Sequence, residues 1–441
     1  MPYPDERAGL AAIQSIVDGK EFEQFREKLN PPSAHTVLPL PKFLPCPIGK
    51  TRTNLVAIDG SRIYDQFPGR LPDTHVGAVS LGVVVINLSK LASLPRLPLS
   101  GAVDPRELRS TEKGNSLGAM LPGTNAGTND GTGPREWFRH VFNKILQSAS
   151  LGGESFATSL YYLLGEKHEV DQCPNPDCDA TGLSMPAPGK EYDCPHCSTT
   201  IYTTDGLRIH EQFIENRSAE ECHSRVMDTL ELLALINGLR GLTKSREGLV
   251  AISETAFVLD GQLAAFGTIA VLAHAIQQEL QKIQGILQDA LPSGKLLVMS
   301  GVKSGPFVKH SEELDRGPEP NSRIPINSYW LPDNNYIREN VVAGHSANSK
   351  PWGQLTHFGR PLILKTPTGQ RLVLNVAQPE FNHTGGVPLT NAPDPSVLGD
   401  AVSTAAPLGV GTDQFLALRR AHRWASLPIK TGTSLIHSLV E

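Results

Sequence analysis

Four of the six cysteines in this 441-residue chain stand in two close pairs, and this grouping constrains the fold most strongly. The pairs are Cys173 with Cys178, and Cys194 with Cys197. Structural zinc takes four thiolate or imidazole ligands in a tetrahedron, which two short cysteine turns joined by a hairpin supply. The spacing therefore predicts an inserted four-cysteine zinc ribbon over residues 171–204, and its Zn²⁺ is structural because four thiolates leave no open position.

The other cysteines and the apolar runs indicate the compartment. Cys46 and Cys222 are isolated and are interpreted as ordinary buried residues, so no disulfide framework is expected and the compartment is reducing. The first residues show no secretory signal. The longest uncharged apolar runs, 76–88 and 261–276, are shorter than the roughly 18–20 residues of a membrane span. We expect a cytoplasmic protein with no membrane partner.

Charge and composition exclude two classes of protein. With 45 acidic and 40 basic residues, the formal net charge is −5, which excludes a histone-like protein that binds nucleic acid through bulk positive charge. The 39% of hydrophobic residues are enough for a core and argue against wholesale disorder. An anionic partner must therefore be bound by a local basic patch.

The chain divides into four parts around the cysteines. Residues 1–50 are expected to form an N-terminal helical arm and a Pro-rich linker. Residues 51–170 and 205–441 are expected to form the two parts of one core, with the zinc ribbon of 171–204 between them. The Gly/Asn/Thr-rich stretch 101–134 is interpreted as a mobile loop. Because strands alternate with helices, the predicted class is α/β, with a mixed sheet flanked by helices.

Apolar periodicity predicts the individual elements. Two β-branched runs at 54–63 and 76–88 predict a hairpin at the edge of a larger sheet. A second hairpin is predicted where 361–364 and 371–376 flank Thr366-Pro-Thr-Gly. Further strands are expected at 249–259 and 296–302, and helices at 9–25, 135–150, 207–239, 263–291 and 413–426.

Two of these strands end in the same way. The segments LVAIDGSR and AFVLDGQL each close an apolar strand with Asp-Gly, at Asp59 and Asp260. Ligands of α/β sheets bind beyond the carboxyl ends of strands, and carboxylates suit Mg²⁺ or Mn²⁺. Two such metals can stabilise the attacking and leaving oxygens of a phosphodiester. The alternative is ordinary turn chemistry, since Asp-Gly also closes many turns.

A third carboxylate is needed for a good metal cage. Glu231 is the best candidate, because it lies in an otherwise apolar helical run where a bare buried carboxylate is costly. The alternative is a glutamate that extends to the helix edge. Asp228 and Glu254 are rival candidates.

The strand before Lys303 and the C-terminal helix supply cationic candidates. Lys303 follows LLVMSGV and is a candidate contact for a scissile phosphate, or else a solvated loop residue. His422 is one turn after Leu418, and it is a candidate metal ligand or proton donor, or else a hydrogen-bonded core histidine. The local basic patch that the net charge requires is the same helix, with Arg419, Arg420 and Arg423.

Taken in order, these residues resemble the NurA nucleases. The matching features are Asp-Gly-Ser at 59–61, Glu231, Asp-Gly at 260–261, Lys303 after a strand, and Ala-His at 421–422. The resemblance extends from about residue 50 to 430, and it is interrupted by 101–134, the zinc ribbon and 382–412. It implies an RNase H-like core, a homodimer, and Mn²⁺-dependent exo- and endonucleolytic cleavage of DNA beside a HerA-like hexameric ATPase that translocates DNA.

The resemblance also implies residue roles. Asp59 and Asp260 bind the Mn²⁺ or Mg²⁺ ions, Glu231 completes the cage, and His422 ligates a metal or donates a proton. Arg62 is expected to contact DNA together with the arginines of the C-terminal helix. The zinc ribbon departs from the simplest members, and DNA contact, dimer contact and partner docking are its candidate roles.

Three functional hypotheses follow. The first is a divalent-metal-dependent deoxyribonuclease that acts with a translocase in DNA end processing or anti-phage defence. The sequence contains no P-loop motif, so coupling to ATP needs a partner. The second is a non-catalytic zinc-ribbon subunit for nucleic-acid binding or assembly, which predicts that Asp59, Asp260 and Glu231 lie far apart. The third is a phosphoesterase that acts on a nucleotide.

Overall fold

A mixed sheet of nine described strands organises the computed structural model. The structure describes residues 18–29, 38–67, 71–95, 107, 109–165, 167–214, 217–317, 323–342, 352–377, 395–405 and 419–426. The strands are β1 (Leu44–Pro45), β2 (Asn54–Gln66), β3 (His75–Asn87), β4 (Glu112–Pro122), β5 (Glu169–Gln172), β6 (Thr181–Ser184), β7 (Tyr192–Asp193), β8 (Thr200–Ile201), β9 (Thr255–Asp260), β10 (Leu297–Gly301), β11 (Ser328–Trp330), β12 (Gly359–Lys365) and β13 (Arg371–Ala377).

Helices lie between these strands. The α-helices are α1 (Lys20–Leu29), α2 (Leu88–Ser93), α3 (Pro134–Ser148), α4 (Phe156–Leu164), α5 (Glu220–Leu242), α6 (Arg246–Glu254), α7 (Val271–Ala290), α8 (Pro306–Leu314), α9 (Asn334–Asn340) and α10 (Pro395–Ala405). Three 3₁₀ helices span Thr203–Leu207, Ile209–Gln212 and Gly267–Ala270. Residues 419–426 contain a further helical segment, called here the terminal helix.

The strand order confirms the predicted fold class. The sheet runs β1-β11-β12-β13-β10-β9-β2-β3-β4. Strands β2, β3 and β4 form an antiparallel meander, whereas β9 pairs in parallel with the other side of β2 and β10 pairs in parallel with β9. This order, β4-β3-β2-β9-β10, is that of an RNase H-like mixed sheet. Helices flank this sheet, and residues 167–204 form a separate unit around the four cysteines, called here the cysteine module. Both features were predicted.

Both faces of the sheet are covered, which explains the almost uninterrupted apolar runs. On one face, Ile58 and Leu259 pack with helices α3 to α7. On the other face, Ala57 and Val258 pack with α10 and with Ala421 of the terminal helix. Because side chains alternate along a strand, Asp59 lies on the same face as Ala57. The terminal helix therefore covers the face from which Asp59 projects.

The interpretation of 101–134 as a mobile loop is wrong for residues 112–122. These residues form β4, paired along its length with β3, from Val76 opposite Pro122 to Ile86 opposite Glu112. Consequently the β2–β3 hairpin is not at the edge of the sheet. Only the second half of β4 alternates, with Leu117, Ala119 and Leu121 facing the core, while its first half is Gly and polar residues that give no strand signal.

Other boundaries also differ from the prediction. The expected strand at 249–259 is helix α6 up to Glu254, begun by a hydrogen bond of 3.0 Å from the Gly248 N–H to the Ser245 hydroxyl, and β9 starts only at Thr255. The Gly/Pro/Thr-rich stretch 382–412 contains helix α10. Residues 9–17 and 413–418 of two predicted helices lie outside the described part of the chain. The second hairpin, β12–β13, is confirmed.

Candidate functional site

Asp59 and Asp260 lie side by side at the centre of the sheet. The parallel register pairs Ile58 of β2 with Leu259 of β9, and each of these residues is followed directly by one of the two aspartates. Asp59 is buried, at 4% exposure, although it is an ionisable residue. Asp260 is the last residue of β9, whereas β2 continues past Asp59 to Gln66, so the predicted strand end at Asp59 is wrong although the two aspartates do meet.

Glu231 reaches the same point from helix α5, on the opposite face of the sheet. Its Oε1 accepts a hydrogen bond of 2.5 Å from the backbone N–H of Gly60, the residue after Asp59. A Cβ at Gly60 would lie 2.6 Å from that oxygen, so only glycine permits this approach. Because Gly60 has no side chain, the carboxylate of Glu231 can contact the backbone next to Asp59.

Of the rival acids, Asp228 lies near Glu231 but is engaged by an arginine, and Glu254 lies at the other end of β9. Asp228 is paired with Arg225 on its own helix, with 3.1 Å between its Oδ2 and the arginine Nη1. Glu254 precedes the first residue of β9, whereas Asp260 is the last residue of that strand, so the two are about 20 Å apart along the chain. Glu231 is therefore the acid that accompanies the paired aspartates.

The surroundings of the pocket raise the pKa of two of its carboxyl groups, Asp59 and Glu231. Burial, and secondarily the charge of Asp260, raise the pKa of Asp59 to about 7, although Lys303 and the Gly60 N–H act in the opposite direction. Burial also raises the pKa of Glu231 well above its ordinary value, with additional contributions from the neighbouring aspartates. Carboxylates that oppose one another's ionisation in this way form a pocket that favours a cation.

Lys303 is an exposed residue of the loop after β10, and its side chain extends to this pocket. It is two residues after Gly301, which pairs with Asp260 across the parallel strands. Its Nζ donates a hydrogen bond of 2.9 Å to Oδ2 of Asp260. The side chain remains 36% exposed, so the ammonium group is also accessible to a bound substrate.

His422 faces Asp59 from the terminal helix. Its Nδ1 lies 3.2 Å from Oδ2 of Asp59. That oxygen is buried and accepts no hydrogen bond of standard geometry within the described residues. The histidine side chain is 52% exposed and is not a core histidine, so one ring edge is directed at the acid while the ring remains accessible to solvent.

The four arginines expected at DNA are not in one environment. Arg62 is paired with Glu220 at 2.6 Å, and Arg420 lies 3.3 Å from Glu112. Arg62 also projects from the face of the sheet opposite to Asp59, because the two positions are an odd number of residues apart on β2. Arg419 and Arg423 are exposed on the terminal helix. The structure thus brings the terminal helix to the acids, whereas Arg62 lies on the α5 side.

The acidic pocket has the donor set for a hard divalent cation. It offers carboxylate oxygens from three chain segments, a nearby imidazole, and a buried oxygen without a hydrogen-bond donor, which are the ligands Mn²⁺ and Mg²⁺ accept. The pocket is wide. Among the described residues, the only group of three or more potential ligands whose atoms all lie within 4.8 Å of one another is the cysteine cluster. Since Mg²⁺ usually keeps several waters, a wide carboxylate site remains compatible with it.

The four cysteines converge as their spacing predicts. Sγ of Cys173 lies 3.6 Å from Sγ of Cys197, and Sγ of Cys178 lies 3.9 Å from Sγ of Cys194. A tetrahedron with Zn–S bonds of about 2.3 Å has edges of about 3.8 Å, so the cluster has the size of a Zn²⁺ site. Hydrogen bonding with Thr199 lowers the pKa of Cys197 to about 6, whereas burial raises the pKa of Cys173.

A buried ion pair that sequence reasoning missed connects this cysteine module to the core. Arg139 of α3 donates hydrogen bonds of 3.0 Å and 2.7 Å to the two carboxylate oxygens of Asp205. The same guanidinium donates to the Thr200 carbonyl in β8, at 2.6 Å. Both members of the pair are 1% exposed. No local pattern marks these residues, because their meaning depends on a contact between distant segments.

No helix in the described ranges combines the length and the apolarity that crossing a membrane requires.

In comparisons with solved structures, the chain is similar to the NurA nucleases, the family that the ordered acidic residues indicated. The NurA nuclease from Sulfolobus solfataricus is 12% identical, with a TM-score of 0.29, and the match covers 98% of this chain and 98% of that one. A second NurA structure is 11% identical and a NurA structure with manganese is 10% identical, each with a TM-score of 0.25. These matches cover 99% and 98% of this chain, and 97% and 96% of theirs. No protein-family model and no curated protein matches the sequence.

Proposed function

We propose that the protein is a divalent-metal-dependent deoxyribonuclease that hydrolyses phosphodiester bonds. The observation that carries the proposal is the convergence of Asp59, Asp260 and Glu231 at one point of the sheet, with raised pKa values for Asp59 and Glu231. Neighbouring acidic groups with raised pKa values are typical of a site that binds cations. The non-catalytic alternative required these acids to lie far apart.

The residues have separable roles in this proposal. Asp59, Asp260 and Glu231 would hold Mn²⁺ or Mg²⁺, with His422 as a further ligand or as a proton donor to the leaving oxygen. When bound, such ions polarise the phosphoryl group and activate a water molecule. Lys303 is fixed by Asp260 and remains exposed, so its ammonium group would contact a phosphate oxygen. Arg419 and Arg423 would contact the DNA backbone on either side.

Replacing Asp59 tests the proposal. We expect Asp59→Asn to lower Mn²⁺-dependent cleavage of plasmid and linear DNA by at least about 100-fold, because even the loss of an indirect metal contact costs about 10–100-fold. Asp65→Asn, on the same strand but exposed, is the matched control and should cleave as the wild type does. Full cleavage by a folded Asp59→Asn protein would contradict the proposal.

The same assay distinguishes a deoxyribonuclease from a phosphoesterase that acts on a nucleotide. In Mn²⁺, a nuclease degrades plasmid DNA faster than small phosphate esters at equal concentrations of phosphate bonds. A preference for the small esters would favour the phosphoesterase.

We also propose the finer features that the resemblance implies. A HerA-like hexameric ATPase as the partner follows from the resemblance, and making cleavage dependent on ATP by adding such a partner would test it. Zn²⁺ in the cysteine cluster is supported by the sulfur spacing. The homodimer, the cytoplasmic location and the role in DNA end processing or anti-phage defence stay predictions.

A further inference from the structure

The terminal helix is held against β3 and β4 by specific contacts. Ala421 and Ala425 are fully buried against the sheet. The Ser80 hydroxyl of β3 donates a hydrogen bond to the Ala425 carbonyl, and Arg420 pairs with Glu112 of β4. His422, next to Ala421, is thereby held over the strand that carries Asp59. The position of His422 thus depends on how closely the helix approaches the sheet.

Gly82 permits that close approach. It is the residue of β3 directly opposite Asp59 in the antiparallel register. A Cβ at Gly82 would lie within 3.0 Å of the Ala421 carbonyl oxygen and of the Ala425 nitrogen, closer than real Cβ atoms come. Both of these atoms belong to the helix backbone, which cannot rotate away as a side chain can. Any side chain opposite Asp59 would therefore lift the helix.

Gly114 likewise leaves space for the side chain of Trp424. It pairs with Val84 of β3, so it lies one strand outward from Gly82 and on the same face of the sheet. A Cβ at Gly114 would lie within 3.0 Å of three atoms of the Trp424 indole ring. The ring occupies the space that the absent side chain leaves. We call Gly82 and Gly114 together the glycine notch.

We propose that the glycine notch positions His422 for the metal site. The notch sets the height of the terminal helix over the sheet, and this height sets the 3.2 Å separation of His422 Nδ1 and Asp59 Oδ2. The proposal rests on the proposed function. Gly82 and Gly114 touch neither metal nor substrate, so they are positioning residues. Displacing a catalytic group by about 1 Å costs up to about 100-fold in rate.

The test compares three glycine-to-alanine variants. Gly82→Ala and Gly114→Ala should each weaken Mn²⁺ binding, measured by the signal of free Mn²⁺ in electron paramagnetic resonance, and lower kcat by about ten-fold or more with a smaller change in KM. Gly118→Ala is the matched control on β4, since its Cβ would meet only the Ser80 Cβ, at 4.0 Å. Gly118→Ala should bind Mn²⁺ and cleave DNA within about two-fold of the wild type.

Two double variants distinguish positioning from general packing. If the notch acts through His422, adding Gly82→Ala to His422→Ala should cause no further loss of Mn²⁺ affinity or kcat. Adding Gly114→Ala to Trp424→Ala should likewise cost nothing more, because the ring that Gly114 accommodates is gone. A further loss in either double variant would overturn the inference. Should Gly82→Ala fail to fold, the Gly114 and Trp424 pair carries the test alone.

Measurements on the wild-type protein show whether the proposed function or only the positioning role has failed. If the wild-type protein neither binds Mn²⁺ nor cleaves DNA, the proposed function fails. If it does both and the notch variants match Gly118→Ala, only the positioning role fails.

Discussion

Asp59 is in an environment that opposes its own charge. The residue is buried, and Asp260 lies beside it on the adjacent strand. These conditions raise its pKa from 3.8 to about 7. A protein without a metal at this site therefore holds an ionised carboxylate at neutral pH only at a cost in folding free energy.

This cost predicts that Asp59→Asn stabilises the protein in the absence of Mn²⁺. Between about pH 4 and 7 the folded state binds more protons at Asp59 than the unfolded state, so stability falls as pH rises through this range and the loss is complete by about pH 8. The neutral asparagine avoids that loss. We expect the free energy of unfolding of Asp59→Asn to exceed that of the wild type by up to a few kcal/mol at about pH 8 and by almost nothing at about pH 4. Thermal unfolding of the zinc-loaded proteins, in buffer without Mn²⁺, measures the difference.

Two outcomes would oppose this view of Asp59. One is an unchanged or lower unfolding temperature of Asp59→Asn at the alkaline end of the range. The other is an equal gain at both pH values, which would indicate a packing effect and not a charge effect.

At the scale of elements, the cysteine module consists of strands too short to be stable by themselves. The hairpins β5–β6 and β7–β8 have strands of two to four residues. Isolated hairpins of this kind are marginal in water, so the sulfur cluster and the Arg139–Asp205 pair are needed to hold them.

We therefore predict that Cys194→Ser removes bound zinc and lowers stability. The buried hydroxyl is a poor zinc ligand, so the zinc content measured by atomic absorption should fall from about one ion per chain to nearly none. The unfolding temperature should fall with it, because the metal binds the folded state. Cys46→Ser is the control, since Cys46 lies outside the cluster and is half-buried. Equal zinc content in both variants would exclude the cluster as the zinc site.

At the scale of the whole molecule, the exposed surface of the cysteine module is acidic, whereas the terminal helix carries exposed arginines. Over residues 167–204, the exposed acidic side chains outnumber the exposed lysines, Lys167 and Lys190. The acids are Glu169, Asp171, Asp177, Asp179, Glu191 and Asp193. Such a surface repels phosphates, so of the candidate roles DNA contact is the one this charge disfavours.

We predict that the terminal helix, and not the cysteine module, binds the DNA backbone. Arg423→Ala should weaken DNA binding uniformly across sequences and reduce the slope of log affinity against log salt by about 1, because one phosphate contact is lost. Lys190→Ala in the module is the matched control and should leave the slope unchanged. Fluorescence anisotropy at several salt concentrations, with Ca²⁺ in place of Mn²⁺ to prevent cleavage, measures both. A larger change for Lys190→Ala would reverse the assignment.

The sequence by itself determined those features whose signal is local. Zinc ligands must lie in short turns, so the spacing of Cys173, Cys178, Cys194 and Cys197 was sufficient to predict that they converge. The hairpin β12–β13 was likewise predictable from its turn residues. An apolar strand that ends in Asp-Gly marked Asp59 and Asp260 as candidates, but it did not show that their strands are neighbours.

Tertiary structure decided everything that depends on which segments meet. From sequence Glu231 is the best candidate with Asp228 as a rival, and the open space above Gly60 brings Glu231 to the aspartates. Strand β4 has a short apolar period, Leu117, Ala119 and Leu121, inside a Gly-rich stretch, and only its pairing with β3 shows that the whole of 112–122 is a strand. Gly82 and Gly114 are indistinguishable from loop glycines until a helix is seen to rest on them. Local pattern encodes the period and the turn, whereas pairing partners and close approaches arise from contacts between distant segments, which a single sequence does not display.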